Sequence, residues 1–129
     1  MSMTPLFSFS GKVFRHTGRG KDLGYPTANI HIDPDTPEGI YVGYARITDN
    51  SYPALVFVGR PLTFGETDKK AEVYILDFDQ NIYEINVDVS VLKKLRENIK
   101  FDSQEALIFQ MQQDEKNARR YFNELKELR

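Results

Sequence analysis

Ile40-Tyr41-Val42-Gly43-Tyr44-Ala45-Arg46-Ile47, then Asp49-Asn50-Ser51, then Tyr52-Pro53-Ala54-Leu55-Val56-Phe57-Val58-Gly59, decides the fold class. Both long runs are rich in β-branched and aromatic residues, which suit a pleated, half-buried surface. The Asp-Asn-Ser break between them is hairpin chemistry, and Leu55 to Val58 is an apolar run of the kind a buried strand shows. Working outward, Ala28, Ile30 and Ile32 alternate along one side of a further strand, and Asp33 to Gly39 is a turn rich in Pro, Asp and Gly. Arg60 to Lys70 reads as a polar loop. Glu72 to Phe78 and Ile82 to Val91 form the next pair, parted by Asp79-Gln80-Asn81, and Val87, Val89 and Val91 alternate strictly. With a strand in Phe7 to Arg15 the chain has about six, with turns every 8–12 residues, which predicts an antiparallel barrel or sandwich.

The last third changes period. Leu107, Met111, Ala118, Phe122 and Leu125 recur at helical steps if Asp114 is counted as a skipped position. Asp102 and Ser103 offer N-caps, and Glu105 completes a capping-box pattern with Asp102. A long helix is expected here, packed on the strands and covering an open end or side. Asp114, inside its apolar stripe, is expected to bond to the sheet.

At 129 residues the chain fits one domain, 1–129, since domains run to roughly 100–150 residues. The net charge of −2 and pI near 5.7 argue against a dedicated nucleic-acid binder, and the Lys116-Asn117-Ala118-Arg119-Arg120 run reads as a solvated helix face. Cysteine is absent, which excludes disulfides and thiol chemistry. No apolar run approaches the ~20 residues of a membrane helix, and Met1 to Ser10 lacks the pattern of a signal peptide. A cytoplasmic monomer without a nucleic-acid or membrane partner is the expectation.

Candidate chemistry concentrates in Gly18-Arg19-Gly20-Lys21-Asp22-Leu23-Gly24-Tyr25-Pro26-Thr27-Ala28-Asn29. Gly18, Gly20 and Gly24 allow backbone N–H groups to approach a ligand closely, and successive N–H groups form a concavity suited to phosphate. Lys21 adds a positive charge. Thr27 and Asn29 offer neutral oxygens that a hard cation accepts. The stretch is neither a Walker loop, since no Gly-Lys-Ser/Thr closes it, nor a dinucleotide fingerprint, since no strand–loop–helix surrounds it. A turn leading into a strand is the plain alternative.

These residues, with four other blocks in order, resemble the riboflavin kinase family, either free-standing or as the kinase half of bifunctional bacterial FAD synthetases. The blocks are Gly11-Lys12-Val13, Gly39-Ile40-Tyr41, Glu72-Val73-Tyr74-Ile75-Leu76-Asp77-Phe78, and Leu95-Arg96 with Lys100-Phe101-Asp102-Ser103. The resemblance implies a six-stranded antiparallel Greek-key β-barrel with a long C-terminal helix. It implies transfer of the ATP γ-phosphate to the ribityl 5′-hydroxyl of riboflavin, giving FMN, with Mg²⁺ as cofactor. Carried over by position, Gly18, Gly20, Lys21, Gly24, Pro26 and Thr27 would hold the nucleotide. Thr27 and Asn29 would hold Mg²⁺, Glu72 would be the base, and Arg96, Phe101 and Asp102 would lie against the flavin. Phe101, Phe109, Tyr74 and Tyr83 are candidates for an aromatic slot. No adenylyltransferase half is present in the sequence, so FAD synthesis would fall to a separate protein.

Four positions depart from the family pattern. Phe57 stands for a common Asn, Tyr74 for a common His, Glu84 for a Gly and Asn98 for a Glu; Pro61 also falls one place early. An impaired flavin- or nucleotide-binding module of the same fold is the alternative these departures support. Without the resemblance, Glu72 reads as an exposed carboxylate beside Lys69 or Lys70, and Asn29 as a turn residue.

Overall fold

The computed structural model describes residues 4–14, 27–60 and 69–128. Among these residues are six strands: β1 Phe7–Lys12, β2 Ala28–Ile30, β3 Gly39–Ile47, β4 Asn50–Gly59, β5 Lys70–Ile75 and β6 Asn86–Arg96, followed by one helix, α1 Gln104–Glu127. The strands form one antiparallel sheet in the order β1-β6-β3-β4-β5-β2. β3, β4 and β5 follow as a meander and β6 returns beside β3, which is the Greek-key arrangement. The sheet curls into a half-barrel. Its two edges meet at an isolated bridge, where the Phe14 N–H donates to the Asn29 carbonyl at 2.9 Å.

Because strand side chains alternate between faces, the curled sheet carries two apolar clusters. Ala28, Ile30, Tyr41, Ala45, Val56, Val73, Val87, Val89 and Val91 are among those filling the inner face. Ile40, Val42 and Leu55 face outward and meet Ala118 and Phe122 of α1, with Tyr44, Phe57, Tyr74 and Leu95 packed around them. The helix therefore covers a side of the sheet. Burial of a ring such as Phe122 stabilises this contact by about 1.5–3 kcal/mol.

The first hairpin turns one residue earlier than its Asp-Asn-Ser break suggests. Ile47 pairs with Asn50 across a two-residue turn at Thr48-Asp49, with Thr48 at φ 57°. A two-residue loop matches the strand twist, so Asn50 and Ser51 join β4. β6 likewise begins at Asn86, since Ile82 to Ile85 form a turn closed by an Ile85 N–H to Ile82 carbonyl bond of 3.0 Å. At the helix start Ser103 is the cap, its Oγ accepting from the Ala106 N–H at 3.1 Å. The capping box expected between Asp102 and Glu105 gives way, because a cap at Ser103 puts Ala106 where the box would need its acid.

Gly43 is a position where the fold demands glycine. A Cβ there would strike the Ser90 carbonyl of β6, beside a register shift between Val42 and Gly43. No helix among the described residues is long and apolar enough to cross a membrane.

Candidate functional site

A single cross-strand row on the outer face organises the candidate residues. Asn29 of β2 lies opposite Glu72 of β5, Glu72 opposite Phe57 of β4, Phe57 opposite Ile40 of β3, and Ile40 opposite Arg96 of β6. Directly opposed residues share a face. With strands roughly 4.8 Å apart, Glu72 and Arg96 stand about 14 Å apart along the sheet. Ile40 and Phe57 belong to the cluster beneath α1, so the polar residues stand at either side of a helix-covered centre.

At the β2–β5 side the Thr27 hydroxyl donates to Glu72 Oε1 at 3.4 Å. That is long for O–H···O, so the two groups are neighbours without being locked together. Glu72 is half-buried. Asn29 is 6% exposed, and its Oδ1 is buried with no hydrogen-bond partner among the described residues. Such an oxygen is costly to bury unless something completes it. The unmatched amide oxygen, the adjacent hydroxyl and the facing carboxylate are all hard oxygen donors, so these residues fit Mg²⁺. Among the described residues no three His, Cys, Asp or Glu side chains gather into a metal cage. Mg²⁺ commonly takes few protein ligands and completes its shell with water and phosphate.

Beside Thr27 opens a cavity of about 380 Å³, lined by Val13, Ala28, Val73 and Ile75 from the inner face and by Phe78 to Tyr83 from the β5–β6 connection. Sequence reasoning missed most of this lining. Of its loop residues only Tyr83 had been singled out, although Phe78 and Ile82 in a polar turn are the kind of signal that marks a ligand wall.

At the β6 side Arg96 Nε and Nη2 donate to Asp114 Oδ1 and Oδ2 at 2.8 and 2.7 Å. The guanidinium carbon lies 5.8 Å from the Phe101 ring centre. Asp114 thus bonds to the sheet as its place in the helix suggested. Asp102 is exposed just before the helix cap. The four aromatic candidates are not gathered into one slot. Tyr83 lines the cavity, Phe101 lies by Arg96, Tyr74 packs in the outer cluster and Phe109 is exposed on α1. Burial pushes the Tyr74 hydroxyl above its ordinary pKa, with Glu115 adding to the effect. Lys69 donates to the Pro34 carbonyl at 2.8 Å, and His31 stacks on Phe14 with ring centres 3.9 Å apart.

Gly18, Gly20, Lys21, Gly24 and Pro26 lie outside the described residues, as does Pro61. The site therefore divides into a Thr27–Asn29–Glu72 corner with its cavity, and an Arg96–Phe101 corner at the root of the helix.

A six-stranded antiparallel sheet curled into a half-barrel and covered by one long C-terminal helix is a fold with known members. The riboflavin kinase (flavokinase) family model matches residues 3–122, and the chain belongs to that family. It is 31% identical over 94% of its length to a bifunctional riboflavin kinase/FMN adenylyltransferase of Listeria monocytogenes, of which it spans 40%. The crystal structure of riboflavin kinase from Trypanosoma brucei matches with a TM-score of 0.66 at 26% identity, covering 95% of this chain and 83% of that one. A Streptococcus pneumoniae structure described as a macrolide-efflux protein matches with a TM-score of 0.75 at 37% identity, over 89% of this chain and 38% of that one.

Proposed function

We propose that the protein is a riboflavin kinase, transferring the γ-phosphate of ATP to the ribityl 5′-hydroxyl of riboflavin to give FMN. The observation that carries this reading is the half-buried Glu72 carboxylate beside the Thr27 hydroxyl and opposite Asn29, whose buried oxygen lacks a partner among the described residues. Family membership supplies the substrate class.

Phosphoryl transfer asks a protein chiefly for alignment and charge stabilisation. Glu72 orients the acceptor hydroxyl and takes its proton as the oxygen–phosphorus bond forms. Thr27 and Asn29 hold Mg²⁺, which when bound neutralises charge on the phosphate oxygens. Gly18, Gly20, Lys21 and Gly24 hold the nucleotide phosphates, Pro26 belongs to the same nucleotide-binding loop, and the cavity beside Thr27 seats the rest of the nucleotide. Arg96, Phe101 and Asp102 stand on the flavin side.

One observation favours a second reading, a flavin- or nucleotide-holding module without turnover. Phe57 faces Glu72 directly from β4, a ring where the family commonly has an amide. The purified chain incubated with riboflavin, ATP and Mg²⁺, with FMN followed by chromatography, decides between them. FMN from the wild type and a loss of about 10²-fold or more in Glu72→Gln support the kinase with Glu72 as base. Equal rates from both would remove Glu72 from that role. Bound flavin without FMN formation would establish the module instead.

A further inference from the structure

Asp114 is 1% exposed in the middle of a 24-residue helix, on the stripe that otherwise carries Met111, Ala118 and Phe122. Packing alone would place an apolar side chain there. Both carboxylate oxygens are engaged: Arg96 Nε and Nη2 donate at 2.8 and 2.7 Å, and Gln110 Nε2 donates to Oδ1 at 3.0 Å. A buried ion pair of this geometry is a poor source of stability, because apolar residues of similar volume often serve as well or better. What it supplies is a fixed direction, since a bidentate pair locks a guanidinium in plane and orientation.

The locked residue is the last of β6. From it the chain leaves the sheet and runs through Glu97 to Ser103 before re-entering as α1. The same guanidinium reaches both ends of that segment. Nη1 donates to the Glu97 carbonyl at 3.0 Å, and the Phe101 ring lies 5.8 Å away. The middle is tied elsewhere, with Asn98 Nδ2 donating to the Arg60 carbonyl at the end of β4 at 3.1 Å. Arg96 is thus a pin through helix, strand end and connecting segment, and Asp114 is what holds the pin.

We propose that Asp114 is a positioning residue for the phosphoryl acceptor: acting through Arg96, it holds segment 97–102 in the orientation that receives the flavin, and does not act on the nucleotide side. This rests on the kinase reading for its substrate, while the geometry of the pin does not.

The test is a double-mutant cycle of Asp114→Asn and Arg96→Met, read as separate KM values for riboflavin and ATP together with hydrogen exchange across 97–102. Asp114→Asn is expected to raise the riboflavin KM about tenfold or more and leave the ATP KM within about twofold. In the Arg96→Met background the same change is expected to add less than about twofold, because the pin is already gone. The double variant leaves no unpaired buried charge, so it keeps the comparison available if a single variant fails to fold. Exchange of 97–102 is expected to quicken in each variant while β3 and β4 stay protected. Parallel shifts in both KM values, or a full Asp114 effect in the absence of Arg96, would overturn the proposal. If the wild type makes no FMN, the kinase reading fails on its own, and unchanged exchange of 97–102 in Asp114→Asn would then sink the pin separately.

Discussion

Replacing Glu84 by glycine is expected to stabilise the protein. Glu84 sits at φ 69°, in left-handed backbone that L side chains rarely adopt. Its neighbours leave it no alternative. The Glu84 N–H donates to the Val13 carbonyl at 2.9 Å, the Ile85 N–H closes the turn on Ile82 at 3.0 Å, and the Val13 N–H returns to Ile85 at 3.0 Å. The strain costs a non-glycine residue about 1–2 kcal/mol. Glycine removes it but loses about 0.5–1 kcal/mol through the greater freedom of the unfolded chain. The Glu84 side chain is exposed, so little packing is lost. The net gain is about 0–1.5 kcal/mol, the middle of which is roughly 2–5 °C in Tm for a domain of this size. Thermal and urea melts of the wild type, Glu84→Gly and Glu84→Ala measure it. Alanine removes the same carboxylate yet keeps a Cβ, so it is expected to show no such gain. A glycine variant no more stable than the alanine variant would refute the strain argument.

Two further predictions follow from other contacts. Asn29→Ala removes a buried oxygen with no hydrogen-bond partner among the described residues, a group that costs about 1–3 kcal/mol to bury unmatched, so Tm is expected not to fall; the Mg²⁺ concentration for half-maximal FMN formation is expected to rise about tenfold or more. A fall in stability with no change in Mg²⁺ demand would make Asn29 a structural residue. The Asp77 carboxylate accepts from Arg119 Nη1 and Nη2, both at 3.0 Å, and this hydrogen bonding holds its pKa below the ordinary 3.8. A depressed folded pKa gives stability that is present above 3.8 and is lost as pH falls through the lower folded value. Asp77→Asn is therefore expected to melt slightly below the wild type at pH 7, with the gap closing under acid conditions; a gap that is constant down to pH 2 would show that the pair is not its source.

Much of this architecture is legible in sequence because its signals are local. The Val87-Val89-Val91 alternation, the apolar run in Tyr52 to Gly59 and the helical stripe through Phe122 each report a face, and the structure puts those faces against apolar clusters. The functional corner is partly legible for the same reason. Ala28 and Ile30 point inward, so Thr27 and Asn29 must point outward, where Glu72 also lies once Val73 is taken as inward. What alternation does not contain is register. That Asn29 faces Glu72 and Ile40 faces Arg96 is set by how the strands pair across 43 and 56 positions of chain. The Arg96–Asp114 pair depends likewise on how α1 lies on the outer face. Ser103 rather than Asp102 is the cap although both residue types suit the position, because only the path of the chain chooses between them.

The departures from the family pattern differ in what the fold does with them. Asn98 stands where the family shows Glu, and its amide donates to the Arg60 carbonyl, a bond that a carboxylate has no proton to make. The change therefore carries its own anchor for the segment beyond β6. Glu84 has no such return: its backbone keeps a conformation suited to glycine, and its side chain is exposed. Phe57 is different again. It packs into the cluster under α1 while standing opposite Glu72, so apolar packing reaches the neighbour of the proposed base. A phenyl ring offers the carboxylate no hydrogen bond, where an amide would have one to donate. Phe57→Asn is the substitution that separates these effects. It would lose packing with the helix, and if Phe57 limits turnover, kcat for FMN would rise while Tm falls.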